Sequence, residues 1–155
     1  MPLEIGSKFP HFNLHNQDGK TVKSEDFAGK WLVLYVYPKD DTPGCTIQGK
    51  SFSATKNEFN DAGVEVIGVS EDDVVSHKNF CMKHGFNIDL LADTEHDLLQ
   101  AAGVGRSEYK GQLYWDRTTF VIDPKGVLRR IYMKVDPQGH EQALLRDIKQ
   151  LQVQA

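Results

Sequence analysis

"WLVLYVYPKDDTPGCTIQGK", residues Trp31 to Lys50, runs from seven consecutive apolar or aromatic residues into a Pro/Thr/Gly loop and then into a more polar segment. An apolar run of that length, rich in β-branched and aromatic side chains, has the pattern of a strand buried on both faces. Pro38 and Pro43 stiffen the loop. From Cys45 to Asn60 the pattern becomes helical, with Phe52 and Phe59 on one face and Gly63 placed to stop the helix. The stretch is thus the first half of a strand–helix–strand unit. Cys45, one of only two cysteines in the chain, stands at the junction.

Working outward, "VEVIGVS" (Val64–Ser70) supplies the second buried strand. "EDDVVSHKNFCMKH" (Glu71–His84) reads as a helix opened by acidic residues and ended by Gly85. A short strand at Leu90–Leu91 and a helix around Thr94–Ala102, closed at Gly103, follow. "RTTFVID" and "VLRRIYMKV" flank Asp123-Pro124-Lys125-Gly126 as an antiparallel hairpin, and "HFNLHNQDGKTV" near the start forms another, turning at Asp18-Gly19. The tail, Gln138 to Gln152, is amphipathic, with Ala143, Leu144, Ile148 and Leu151 on one stripe. Strand–helix–strand units make parallel pairs, and the late hairpin adds antiparallel strands. The order predicts an α/β, thioredoxin-like fold: a mixed central β-sheet with helices on both faces and an N-terminal β-hairpin, in one domain spanning 1–155.

Composition narrows the function. A net charge of −4, with both signs interspersed, argues against nucleic acid or an anionic membrane as the main partner. The longest strongly apolar run, Trp31 to Tyr37, is far short of the roughly 20 residues that cross a bilayer. "MPLEIGSKFPHFNL" carries no secretory or transit pattern, so the expected address is the cytosol. Two cysteines 36 positions apart fit neither a disulfide-rich scaffold nor a structural zinc site.

Cys45 is placed for chemistry. A thiol reacts as its thiolate, and the first turn of a helix, with free backbone N–H groups and the positive end of the dipole, favours an anion. Thr42 offers a hydroxyl to a thiolate or an incoming oxygen. A lone cysteine is more often a small buried hydrophobe. The strand-to-helix junction and the rigid loop favour the reactive reading instead.

These residues also carry a resemblance. "YPKDDTPGCT" resembles the active-site signature of the peroxiredoxins, Pro-x-x-x-Thr-x-x-Cys, in the form typical of the peroxiredoxin Q, or bacterioferritin comigratory protein, subgroup. "DFAGKWLVLYVYPKD", "VEVIGVSEDDVVSHKNF" and "DRTTFVIDPKGVL" extend the likeness over nearly the whole chain. It implies that Cys45 is the peroxidatic cysteine, attacking hydrogen peroxide or an alkyl hydroperoxide to become a sulfenic acid. Thr42 would hydrogen-bond the peroxide, Arg117 would stabilise the thiolate and the leaving oxygen, and Pro38 would shield Cys45 from water. No metal or organic cofactor is implied. On its own, an arginine ahead of a strand is usually a solvated cap; Thr118-Thr119-Phe120 in register with the family block gives Arg117 its weight.

Many members of the subgroup carry a second cysteine in a "CTxEAC" pattern. Here the segment reads "CTIQGK": Gln48 replaces the usual Glu, and Lys50 stands where the partner thiol would be. Cys81 is then the only intramolecular candidate, and a second branch of the subgroup places its resolving cysteine in the same helix. Its helical neighbours Val74, His77, Lys78 and His84 form a mixed face, which predicts some exposure and a redox role. Two thiols on separate helices rarely come within the roughly 7 Å between Cα atoms that a disulfide needs, so parts of both helices are expected to unwind in turnover. Thioredoxin, or a similar dithiol, would reduce the disulfide, and a monomer is expected. A one-cysteine peroxidase reduced by an external thiol, and a non-enzymatic redox sensor, remain open. A thioredoxin-type oxidoreductase is disfavoured, since position 48 is Gln rather than Cys. His11 and His15 lack a clustered third ligand, while His77 and His84, seven apart beside Cys81, allow at most a partial metal site.

Overall fold

The computed structural model describes residues 3–154. Strands β1 (Asn13–His15), β2 (Thr21–Lys23), β3 (Trp31–Val36), β4 (Val64–Ser70), β5 (Asp89–Ala92), β8 (Thr118–Ile122) and β9 (Leu128–Tyr132) form one seven-stranded sheet ordered β2-β1-β5-β4-β3-β8-β9. Between β5 and β8, strands β6 (Arg106–Tyr109) and β7 (Gln112–Trp115) make a separate two-stranded ribbon. The helices are α1 (Pro43–Asp61), α2 (Val74–His84), α3 (Asp97–Ala101) and α4 (His140–Gln154). The fold is the thioredoxin-like mixed sheet read from the sequence, with the N-terminal hairpin added at one edge through a β1–β5 bridge, His15 to Ala92. Met1, Pro2 and Ala155 of the expected 1–155 domain lie outside the described residues.

β3 lies inside the sheet, between β4 and β8, because its side chains are apolar on both faces. Trp31, Val33, Tyr35 and Tyr37 enter one core with Phe52 and Phe59 of α1, Phe80 of α2 and Leu144 and Ile148 of α4. Leu32, Leu34 and Val36 enter a second core with Phe12, Leu99, Phe120 and Leu128. The period of two that separates these sets is the pleat of the strand itself. Each fully buried Phe or Leu contributes roughly 1.5–3 kcal/mol of hydrophobic burial.

Register brings the chemistry together. β3 and β4 run parallel, so the helices that follow both strands begin at the same edge of the sheet. β8 runs antiparallel to β3 with Thr118 opposite Val36, which places Arg117 beside the loop that leads into α1.

Several boundaries differ from the sequence reading. α2 starts at Val74, because Asp73 is the cap: its side chain accepts from the Ser76 N–H at 2.8 Å. Glu71 and Asp72 precede the helix and bond elsewhere; Asp72 accepts from the Ser70 hydroxyl and the Asp40 N–H. α3 is shorter than expected, since His96 takes a left-handed backbone ahead of it. The β6–β7 ribbon had no counterpart in the sequence reading. It turns at Lys110-Gly111, both left-handed, as a tight hairpin demands.

Candidate active site

Thr42 is the N-cap of α1, Pro43 its first residue, and Cys45 lies in the first turn. Pro at this position is favourable because the missing N–H has no helical partner there. Cys45 is 2 % exposed. The Arg117 guanidinium reaches its sulfur, with Nη1 3.5 Å from Sγ, and the same nitrogen donates to Gln48 Oε1 at 2.6 Å. Gly44 makes this approach possible: a Cβ there would sit 2.7 Å from Arg117 Nη2. The cation and the helix N-terminus therefore converge on one buried sulfur.

Gln48 is 1 % exposed, and its Nε2 has no partner among the described residues. It orients Arg117 through its oxygen without neutralising the guanidinium, as a carboxylate would. The Thr42 hydroxyl donates to the Lys39 carbonyl at 2.8 Å, which leaves its lone pairs as the available function. Pro38, Thr42, Gly44 and Arg117 help line a cleft of about 500 Å³, walled on its far side by Tyr109, Tyr114 and Trp115 of the ribbon. Trp115 is mostly buried, donates to Glu71 Oε2 and carries Arg106 on its ring, which makes it a packing residue.

Cys81 corrects an expectation. It is only 7 % exposed and belongs to the same apolar core as Cys45. Burial, reinforced by the charges of Asp40, Asp18 and Asp89, pushes its thiol up to about 12. The polar neighbour that pointed to exposure, His77, is itself fully buried, because both of its ring nitrogens find partners. Tyr35 lies under the influence of both sulfurs. Burial, and then the charges of Cys45 and Cys81, hold its phenol well above the usual range. Both cysteines are free thiols.

The histidines do not gather around Cys81. His84 turns to Asp41 at 3.2 Å, and His77 to Asp40 at 2.7 Å. Among the described residues one trio of possible metal ligands lies close together: Asp40, Asp72 and His77. Its oxygens and nitrogens are already engaged by Tyr37, Ser76, Ser70 and backbone groups. No described helix is long and apolar enough to cross a membrane.

Residues 5–131 match the AhpC/TSA family. The chain is 38% identical over 157 residues to "Peroxiredoxin Bcp" of Bacillus subtilis, covering 97% of this chain and 98% of that one. A cysteine-to-serine mutant of Xylella fastidiosa PrxQ superposes with a TM-score of 0.91 at 30% identity, over 96% of this chain and 97% of the other. A structure concerned with the alkyl peroxide reduction activity of Xanthomonas campestris bacterioferritin comigratory protein gives 0.85 at 37% identity, over 95% and 96%.

Proposed function

The chain belongs to the AhpC/TSA family, among its peroxiredoxins, which are thiol-dependent peroxidases; on that footing we propose that it reduces hydrogen peroxide and alkyl hydroperoxides through Cys45 and resolves the product with Cys81. The observation that carries this reading is the Arg117 guanidinium 3.5 Å from the Cys45 sulfur at the first turn of α1. The cation and the free N–H groups of the helix start face the sulfur that attacks the peroxide.

The thiolate attacks one peroxide oxygen in line with the O–O bond. An S–O bond forms, the O–O bond breaks, and the leaving oxygen departs as water or alcohol after taking a proton. Arg117 offsets the charge that builds on that oxygen, a contribution that preorganised donors typically make at 10²- to 10³-fold in rate, taken as an order of magnitude of about 3 kcal/mol. With its own proton on the Lys39 carbonyl, the Thr42 hydroxyl meets the peroxide as an acceptor and fixes its orientation. Pro38, at the rim of the cleft, limits water at the sulfur. No metal or organic cofactor takes part.

Cys45 sulfenic acid then condenses with the Cys81 thiol, forming a disulfide and releasing water. Burial pushes the Cys81 thiol up to about 12, so it is almost wholly un-ionised at neutral pH and must leave its core before it reacts. This supports the expected partial unwinding of α1 and α2. Thioredoxin, or a similar dithiol, reduces the disulfide by exchange, restoring both thiols and becoming oxidised itself. The protein works as a cytoplasmic monomer of one domain.

The burial of Cys81 also favours a second reading, a one-cysteine peroxidase reduced directly by an external thiol. Peroxide turnover coupled to thioredoxin and its reductase separates them. Cys45→Ser abolishes turnover under either reading, and activity that survives it defeats both. Cys81→Ser abolishes thioredoxin-linked turnover under the first reading; undiminished turnover establishes the second.

A further inference from the structure

α2 is fastened very differently along its length. Its N-terminal part is tied into the loop ahead of Cys45 by a buried polar network. His77, 0 % exposed, sets Nδ1 2.7 Å from Asp40 Oδ2 and Nε2 2.9 Å from the Leu91 carbonyl. Asp40 also accepts from the Tyr37 hydroxyl at 2.6 Å and the Ser76 hydroxyl at 2.7 Å, and its N–H donates to Asp72. Every polar atom of the two side chains thus has a partner inside the core. Asp40 and His77 form a buried hydrogen-bonded pair joining the Cys45 loop to the Cys81 helix and to β5.

Past His77 the polar fastenings are weaker, although Phe80 and Cys81 still pack in the shared apolar core. Lys83 and His84 pair with Asp41 at an exposed site, and the helix ends at Gly85 in a left-handed cap. Exposed ion pairs contribute little, whereas separating a buried hydrogen-bonded pair leaves polar groups unsatisfied in the core and is costly. Unwinding from the C-terminal end therefore costs least if it stops short of His77. Cys81 is one helical turn beyond that stop.

We propose that the buried Asp40–His77 pair positions Cys81 for resolution: it pins the start of α2 to the Cys45 loop, so that only the helix from Phe80 onward unwinds when Cys81 travels to Cys45. The pair acts as a pivot that keeps the released thiol tethered near its target. Neither residue touches the peroxide or the reacting sulfurs; both are positioning residues. The proposal rests on the reading of Cys81 as the resolving cysteine.

Rapid mixing with hydrogen peroxide resolves two steps, formation of the Cys45 sulfenic acid and its loss to the disulfide. In His77→Gln and in Asp40→Asn the first step stays within about 2-fold of wild type, while the second slows by about 10-fold or more. The double variant is no slower than the worse single one, because one coupled pair has been removed. A general loss of stability would not confine its effect to the second step, and Leu144→Ala in α4 serves as that control, leaving the ratio of the two rates unchanged. Hydrogen exchange on the oxidised wild-type protein needs no variant: amides of Ser76–Lys78, bonded at the helix start, stay protected while those of Phe80–Asn87 lose protection. A second step that survives Cys81→Ser overturns the resolving role and the pivot with it. A second step that requires Cys81 but is unchanged in both single variants overturns the pivot alone, as does loss of protection at Ser76–Lys78 on oxidation.

Discussion

The two cysteines share one apolar core, yet their surroundings prepare them for opposite states. At the start of α1, a helix N-terminus and the Arg117 guanidinium converge on Cys45, and Gly44 gives up its side chain so that the arginine can approach. Toward the end of α2, apolar packing and three carboxylates hold Cys81 as a neutral thiol. The first environment is assembled before any substrate arrives; the second must be dismantled before it can contribute. On this account the chemistry at Cys45 depends on rigidity, and the chemistry at Cys81 on release.

That contrast breaks most sharply at Arg117. Arg117→Met is expected to lower the second-order rate constant for peroxide by about 10²- to 10³-fold, measured by stopped flow, while disulfide formation from preformed sulfenic acid changes little. Equal losses in both steps would mean that the two sites are not independent. Gly44→Ala probes the same environment more gently. The new methyl group meets Arg117 Nη2 at 2.7 Å and Pro137 Cγ at 3.3 Å, and displacing the guanidinium should cost about 10-fold in the peroxide step.

Gly49 lies at the seam between the two regions. A Cβ there would stand 2.3–2.8 Å from the ring of Phe86, just past the end of α2. Gly49→Ala gains about 1 kcal/mol of helix propensity but overpacks that seam, and a net loss of about 1–2 kcal/mol is expected in denaturant unfolding. Unchanged stability would show that Phe86 yields freely, and that α2 is looser than its burial indicates.

The smallest effect concerns the platform behind both sites. His140, at the start of α4, bonds to Thr119 Oγ1, and burial lowers it to about 4. Its unfolded form binds protons that the folded form refuses between the ordinary value of 6.5 and about 4. Its contribution is therefore whole above 6.5 and lost as the pH falls through that window. After allowance for solvent screening, the loss is under about 2 kcal/mol. Chemical denaturation of wild type and His140→Gln across this range should give stability curves that converge on acidification; parallel curves would remove His140 from the account.

Much of this arrangement is legible in the residues because it is local. Trp31–Tyr37, apolar on both faces, announces a strand inside the sheet, and Thr42-Pro43-Gly44-Cys45 announces the turn into α1. The ribbon from Arg106 to Trp115 is not legible in the same way. Its strands are mostly exposed and mix polar with apolar residues without a buried face, and its turn is Lys-Gly rather than the stronger Asn-Gly signal. The burial of Cys81 escapes local reading for a different reason. His77 looks like a surface residue until its partner appears, and that partner, Asp40, is 37 residues away. Gln48 was visible as a departure from the family pattern, but its bond to Arg117, 69 residues distant, is supplied only by the fold.

The central claim, that Cys45 meets the peroxide and Cys81 meets Cys45, is tested most directly by identifying the product. The reduced protein is treated with equimolar hydrogen peroxide, quenched with an alkylating agent, and mapped by mass spectrometry without reduction. The account predicts a disulfide linking the Cys45 and Cys81 peptides of a single chain, with both thiols lost together and protected from alkylation. A Cys45 that stops at sulfenic or sulfinic acid while Cys81 remains a buried free thiol would contradict it.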